Sequence, residues 1–356
     1  MSEGERACPT GILMSSARIL VFPDCGPRIG GGHVMRCLTL AHALSARGAA
    51  VAFAANPAAQ GVLAAFGARD MTTFPVSDDL GEAAPAAAAW AEGFKADWVL
   101  LDHYRLSLAQ EAALKGSRGL AVLDDLADRP RPADLLIDPG HGRTAADHQG
   151  LVPEGARVLA GPAYAAVRPE FAAHRASALL RRRQGGRPRH MLIALGLTDV
   201  DGVTGRVVRA LRPAFPDLIL DVVLSDAAPS LPGLREWAKI DRALRLHVDT
   251  RAMAELMSSA DLAVGAGGSS TWERAVVGLP TATVILADNQ RPMAEAMAKD
   301  GLTLAVDAAG GDFEARLVGS VRRLVEDSGL RRSLSEGSAA LCDGLGAERV
   351  AEALLA

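Results

Sequence analysis

The sequence predicts an α/β protein with two doubly wound parallel-sheet domains and a ligand cleft between them. Three observations carry this. Short apolar runs alternate with helical stretches in two successive series, separated by a Gly- and Pro-rich interval. Runs such as Ile19–Phe22 and Met191–Leu195 lack polar alternation, the pattern of strands covered on both faces by crossover helices. The 356 residues suit two domains of ordinary size, each long enough for its own core.

Residues 1–16 read as a frayed leader, with Met14 as an alternative start. From Ala17, Ile19-Leu20-Val21-Phe22 forms a buried strand. His33–Arg47 is a helix with Val34, Cys37, Leu38, Ala41 and Leu44 on one face, stopped by Gly48. Val51–Ala54, Trp98–Leu101, Leu120–Leu123 and Leu135–Ile137 complete the strands of a first Rossmann-like domain, 17–175. The basic run Arg181-Arg182-Arg183, followed by Gly185-Gly186-Arg187-Pro188, reads as a solvated helix end entering an interdomain hinge, 176–189. A targeting or RNA patch is the weaker reading, because the run is short and the chain acidic. A second Rossmann-like domain, 190–356, follows. Its strands are Met191–Leu195, Ile219–Leu224, Leu244–His247, Leu262–Val264 and Thr283–Leu286.

Composition excludes several classes. The 38 Lys and Arg against 42 Asp and Glu leave a formal net charge of -4. Nucleic-acid binding, which needs a basic face, is not expected. No apolar run reaches the roughly 18–20 residues of a spanning helix, and the apolar stretch Gly11–Met14 is too short for a signal peptide. The 4 cysteines, Cys8, Cys25, Cys37 and Cys342, form no CxxC pair. Free thiols in a cytoplasmic chain are the simplest reading. Zinc spacing, HExxH, GxSxG and GxxxxGK[ST] are absent, and no metal or cofactor is expected.

Three constellations sit where strands run into helices. The first is Asp24 with Gly30-Gly31-Gly32-His33. Glycines there admit a ligand to the backbone, and the helix N-terminus favours an anion. The same helix end favours a neutral imidazole at His33, as a general base requires. A dinucleotide site competes with this reading, but His33-Val34-Met35 occupies the place of the third glycine in GxGxxG. A plain helix cap is the bland alternative.

The second constellation is Gly265-Ala266-Gly267-Gly268-Ser269-Ser270-Thr271-Trp272-Glu273. Small residues and hydroxyls at a helix start make a cradle for phosphate, and Glu273 can accept hydrogen bonds from ribose hydroxyls. The alternative is an N-cap with a first-turn acid. In the third, Leu286-Ala287-Asp288-Asn289-Gln290, the amides of Asn289 and Gln290 suit a sugar or simply form a turn.

Together these segments closely resemble the PseG family, UDP-2,4-diacetamido-2,4,6-trideoxy-β-L-altropyranose hydrolases of pseudaminic acid biosynthesis. The resemblance runs from about Ala17 to about Leu304 and includes Asp102-His103-Tyr104, Leu123-Asp124-Asp125 and Gly161–Phe171. It implies the two-domain GT-B fold of nucleotide-sugar glycosyltransferases, with UDP on the second domain. The phosphates would lie at Gly267, Gly268, Ser269 and Ser270, faced by Gly196 and Thr198. The ribose would meet Glu273 and the uracil would sit near His247-Val248. His33 would activate or position water, with Asp24 as the acid that orients it. Gly32, Tyr104, Arg168, Asn289 and Gln290 would line the sugar.

Several positions depart from the family pattern. Leu197 stands where a glycine is usual, Phe22 replaces a common arginine, Arg105 a common glycine, and Asp138-Pro139-Gly140 a segment ending in asparagine. The expected chemistry is water attack at the anomeric carbon with C–O cleavage, inversion and no metal. A UDP-sugar glycosyltransferase on the same scaffold, or a hydrolase for a related nonulosonic acid precursor, is the alternative. No Lys/Arg-rich amphipathic helix marks a membrane acceptor site, so no stable membrane association is expected. A monomer or weak homo-oligomer is expected.

Overall fold

A computed structural model describes residues 17–26, 29–67 and 71–356. The expected leader, 1–16, lies outside the described residues. The first sheet collects β1 (Arg18–Pro23), β2 (Ala50–Ala55), β3 (Thr72–Pro75), β4 (Trp98–Asp102), β5 (Gly119–Leu123), β6 (Leu135–Asp138) and β7 (Arg157–Ala160). Their order is β3-β2-β1-β4-β5-β6-β7. Its crossover helices are α1 (Gly32–Ser45), α2 (Pro57–Phe66), α3 (Leu80–Gly93) and α4 (Leu108–Lys115). After α5 (Pro169–Gln184) comes the second sheet: β8 (His190–Ala194), β9 (Ile219–Leu224), β10 (Leu244–Val248), β11 (Leu262–Ala266), β12 (Thr281–Ile285) and β13 (Leu304–Asp307). Its order is β10-β9-β8-β11-β12-β13. Helices α6 (Val203–Ala214), α7 (Leu231–Ile240), α8 (Met253–Ser259), α9 (Ser270–Val276) and α10 (Arg291–Lys299) connect these strands. Helices α11 (Phe313–Glu326), α12 (Ser328–Leu341) and α13 (Gly346–Leu355) follow.

Both sheets are parallel throughout, and the expected strands all form. In each, the first strand is central: Val21 of β1 pairs with Phe53 on one side and Leu100 on the other. The strand order reverses beside β1 and beside β8. The loops leaving β1 and β4 therefore diverge at one switch point, and those leaving β8 and β11 at another, where open α/β sheets bind ligands. The sequence reading missed β3, β7 and β13. Each has four residues, one strand neighbour and a mostly half-exposed surface; β3 has no apolar run, and those of β7 and β13, Val158–Ala160 and Leu304–Val306, are three residues long.

Alternate residues of the first sheet face opposite layers. Ile19, Val21, Phe53 and Leu100 pack against Val34, Cys37, Leu38 and Leu44 of α1. Leu20, Phe22, Val99 and Leu101 pack towards α3 and α4. Helix ends follow local chemistry. Asn56 caps α2 by accepting from Ala59 N, Pro57 opens it, and Gly67 closes it at φ +99°.

The chain crosses between domains twice, which the simple division at 176–189 does not anticipate. Val167, Phe171 and Ala178, on and just before α5, are buried in the second domain's core. Conversely, Ala347, Val350, Ala351 and Leu354 of α13 are buried against the first domain, where α13 packs on α1. Of the arginine run, Arg183 is exposed as a solvated helix end would have it, but Arg181 and Arg182 are not. Arg182 donates to the carbonyls of Met257 and Ser258, and Arg181 to Ala260 O and the Asp261 carboxylate. Both satisfy open carbonyls at the end of α8.

Candidate active site

A cavity of about 620 Å³ lies between the two sheets and is lined from both domains. On the first-domain wall the chain leaves β1, turns through Gly30 at φ +79° and enters α1. His33 is the second residue of α1, 7% exposed and on the cavity wall. Its Nδ1 lies 2.5 Å from Asp102 Oδ1 at the end of β4. Arg36, one turn along α1, grips the same carboxylate with Nε at 2.5 Å and Nη2 at 2.6 Å. It reaches Asp125 with Nη1 at 2.8 Å. Tyr104 donates its hydroxyl to Asp125 Oδ1 at 2.7 Å and meets the His33 ring edge-on, 4.6 Å between centroids.

These contacts fix the imidazole. Burial alone would raise the Asp102 pKa, but Arg36 and then His33 outweigh it and hold the carboxyl well below its usual range. Asp125 is likewise held low, with Arg36 outweighing burial. Arg36 Nη2 also stands 3.2 Å from His33 Nδ1, but the shorter carboxylate contact sets the tautomer. The proton then sits on Nδ1. Nε2, which has no protein partner among the described residues, is left to accept a proton at the cavity.

Asp24 does not orient His33. It is buried away from the cavity wall, held by Arg105 at 2.7 and 3.1 Å and with His103 Nε2 at 3.4 Å. Burial pushes His103 down to about 4, so it is neutral at pH 7. The orienting acid is Asp102, one strand over at the same switch point. Arg105, which replaces a glycine of the family pattern, is the residue that occupies Asp24.

The second-domain wall carries Gly196, Thr198, Gly267, Gly268, Ser269, Ser270 and Glu273, all on the cavity. Asp199, buried at φ +44°, shapes the first loop by accepting from Thr204 N at 2.8 Å and Ser230 N at 2.9 Å. Gln290 braces the second: its Oε1 accepts from Leu286 N at 3.1 Å, and its Cβ would stand 3.3 Å from a Cβ on Gly267. The two glycine-rich walls nearly touch. A Cβ on Gly32 would lie 3.4 Å from Ser269 Oγ, and one on Gly31 would lie 2.9 Å from Leu197 Cδ1. Leu197 thus reaches across the gap to the space that Gly31 leaves.

Tyr104, Asn289 and Gln290 line the cavity beside His33, with Asn289 Nδ2 3.5 Å from Tyr104 OH across the cleft. Arg168 also lines it, but its Nε donates to Glu273 Oε1 at 2.9 Å, which places it with the expected ribose acid. Val248 does not line the cavity. It packs on the second-domain core at the end of β10, while Asp249 and Thr250 beyond it reach the wall. The adjacent His247 is engaged by Asp221 at 2.8 Å.

Asp102 and Asp125 lie in segments of the resemblance to which the sequence attaches no role, and Arg36 lies just beyond the first constellation. Arg36 had a visible signal: at i+3 from His33 it shares that helix face. Burial raises the thiols of Cys25 and Cys342 to about 11 and also raises that of Cys37, which leaves these three as packing groups. Among the described residues, no group of three or more His, Cys, Asp or Glu is placed to hold a metal ion. No helix among them is long and apolar enough to cross a membrane.

No family model matches the chain. It is 25% identical over 285 residues to the UDP-2,4-diacetamido-2,4,6-trideoxy-beta-L-altropyranose hydrolase of Campylobacter jejuni, covering 80% of this chain and 97% of that one. It is 29% identical over 198 residues to the spore coat polysaccharide biosynthesis protein SpsG of Bacillus subtilis, 54% of this chain and 57% of the relative. Among solved structures it is similar to Acinetobacter baumannii MurG, with TM-score 0.64, 15% identity and 95% and 98% of the two chains covered. It is also similar to the spinosyn rhamnosyltransferase SpnG complexed with thymidine diphosphate, with TM-score 0.66, 18% identity and 95% and 99% covered. The chain has the GT-B fold, and the resemblance read from its motifs is borne out along most of its length.

Proposed function

We propose that this protein hydrolyses a UDP-2,4-diacetamido-2,4,6-trideoxy hexose to UDP and the free sugar, as its Campylobacter jejuni relative is named to do. One observation carries the reading: His33, its Nε2 free and its Nδ1 held by Asp102, faces the Gly267–Ser270 loop across a gap closed by Gly32 and Ser269. UDP binds the second-domain loops, with Glu273 on the ribose. The sugar extends towards Tyr104, Asn289 and Gln290. His33 takes a proton from water as the water attacks the anomeric carbon. The C–O bond breaks, the configuration inverts, and the electron pair leaves on UDP. A single positioned base contributes about 10²–10⁴-fold, and fixed dipoles at the diphosphate supply much of the rest.

The reaction belongs to pseudaminic acid biosynthesis for a flagellar or surface glycan, in the cytoplasm, carried out by a monomer or weak homo-oligomer. The test is incubation with UDP-2,4-diacetamido-2,4,6-trideoxy-β-L-altropyranose in ¹⁸O water, followed by NMR and mass spectrometry. UDP release with label on the sugar supports the reading. Label on UDP would place the attack at phosphorus. Turnover only with an added hydroxyl acceptor would make the protein a transferase.

A further inference from the structure

Arg274 lies beneath the Gly-Gly-Ser-Ser loop and makes no ion pair among the described residues, with Glu273 acting on it only through space. Its side chain is 3% exposed, and all three of its hydrogen bonds go to neutral oxygens. Nη1 donates to Ser270 Oγ at 2.9 Å, and Nη2 to Thr271 Oγ1 at 3.0 Å and Ala266 O at 2.7 Å. The adjacent carboxylate, Glu273, is engaged by Arg168 instead. A buried guanidinium without an anion is costly, so such groups are normally paired. Space has been left for this one: a Cβ on Gly265 would fall 2.5 Å from Nη1.

The hydrogen-bond directions tell where the missing anion belongs. A serine hydroxyl has one proton and two lone pairs. Arg274 can only donate, so Ser270 Oγ must accept from it. The Ser270 proton has no acceptor among the described residues, and Ser270 lines the cavity. Arg274 thereby turns Ser270 into a donor facing the ligand and sets a positive charge one hydroxyl behind it. Burial pushes the guanidinium down to about 10, which still leaves it charged at neutral pH.

We infer that Arg274 is a positioning residue for the leaving diphosphate: a buried cation that the ligand neutralises through Ser270. The inference rests on the reading that this loop takes the diphosphate of UDP. It explains why the loop is followed by arginine at a position that never reaches the cavity surface.

Calorimetry with UDP and with uridine on the full chain tests it. Wild type should bind UDP far more tightly than uridine. Arg274→Met should weaken UDP by about 10–100-fold, as expected for losing a charge-assisted donor, and uridine by less than about twofold. Arg274→Lys should restore part of the UDP affinity, and Ser270→Ala should lose it selectively, by about 10-fold. Equal weakening of UDP and uridine in Arg274→Met, or an unchanged UDP affinity, would overturn the inference. Should Arg274→Met fail to fold, Ser270→Ala decides, and wild-type UDP affinity in that variant overturns it. A wild type that binds UDP no better than uridine would instead refute the diphosphate site itself, and the inference with it.

Discussion

Asp102→Asn separates the chemistry of the cleft from its binding. Asp102 is fully buried and receives Arg36 through two donors and His33 through one. At an effective dielectric of about 20, unit charges about 4 Å apart interact by about 4 kcal/mol. Asparagine keeps one acceptor oxygen and Arg36 keeps Asp125, so the net destabilisation should be about 2–4 kcal/mol. The catalytic cost has a different origin. The new amide offers N–H to Nδ1, which drives the imidazole proton to Nε2 and leaves no base at the cavity. A kcat loss of about 10²–10⁴-fold follows, by the logic of an orienting acid behind a histidine. UDP affinity should hold, because its expected contacts lie on the other domain. The sign of the pH effect also follows. The folded pKa of Asp102 lies below its unfolded value, so its stabilisation is present above about pH 4 and is lost as pH falls further. The stability gap between wild type and variant should therefore shrink below that pH. Steady-state UDP release, UDP calorimetry and chemical denaturation at pH 7 and 3.5 measure all three effects. A folded Asp102→Asn protein with kcat within tenfold of wild type would refute the tautomer argument.

His33→Ala should lower kcat by about 10²–10⁴-fold and leave UDP affinity nearly unchanged, read by the same assays; a parallel loss of UDP binding would place His33 on the nucleotide. Glu273→Ala should weaken UDP by about 1–3 kcal/mol in calorimetry and free Arg168; unchanged affinity would move the ribose contact elsewhere. Gly32→Val should hold the two walls apart at Ser269 and cut kcat/KM by about 10²-fold, with thermal stability little altered. Gly346→Ala should lower the melting temperature, since α13 meets the Ala165 backbone there with no room for a methyl group, and activity per folded molecule should persist.

What the sequence revealed was local. The run Ile19–Phe22 is a strand because every residue in it is buried, and α1 follows because its apolar positions share a face. The first glycine loop was legible because its residues make room for the facing wall: a Cβ on Gly31 would fall 2.9 Å from Leu197 Cδ1. What stayed hidden was tertiary adjacency. Asp102 lies 69 residues from His33 and meets it only because β4 pairs directly with β1. Asp24, nearer in sequence, leaves the same strand end but is held by Arg105. Nor could periodicity show that α13 returns to α1, because an amphipathic helix does not name the face it will cover.

The two half-sites are built from different physics, and this constrains mechanism more than either motif does. In the proposed reaction the first domain would supply proton chemistry: one imidazole oriented by a buried carboxylate, itself gripped by Arg36, which Asp125 also holds. In that reaction the second would supply static polarity: a guanidinium that can only donate, and a loop hydroxyl that accepts from it and turns its own proton to the cavity. A base beside such a cation would be suppressed, and a leaving anion beside two carboxylates would be repelled. Placing them on opposite walls would let both work in one cleft. Loss of charge at Arg274 should then appear in UDP affinity, and loss of orientation at Asp102 in kcat. A double variant should add the two effects in free energy, because the groups share no partner. Strong coupling between them would mean that the walls communicate through a group the apoprotein does not contain, and the bound sugar nucleotide spans that gap.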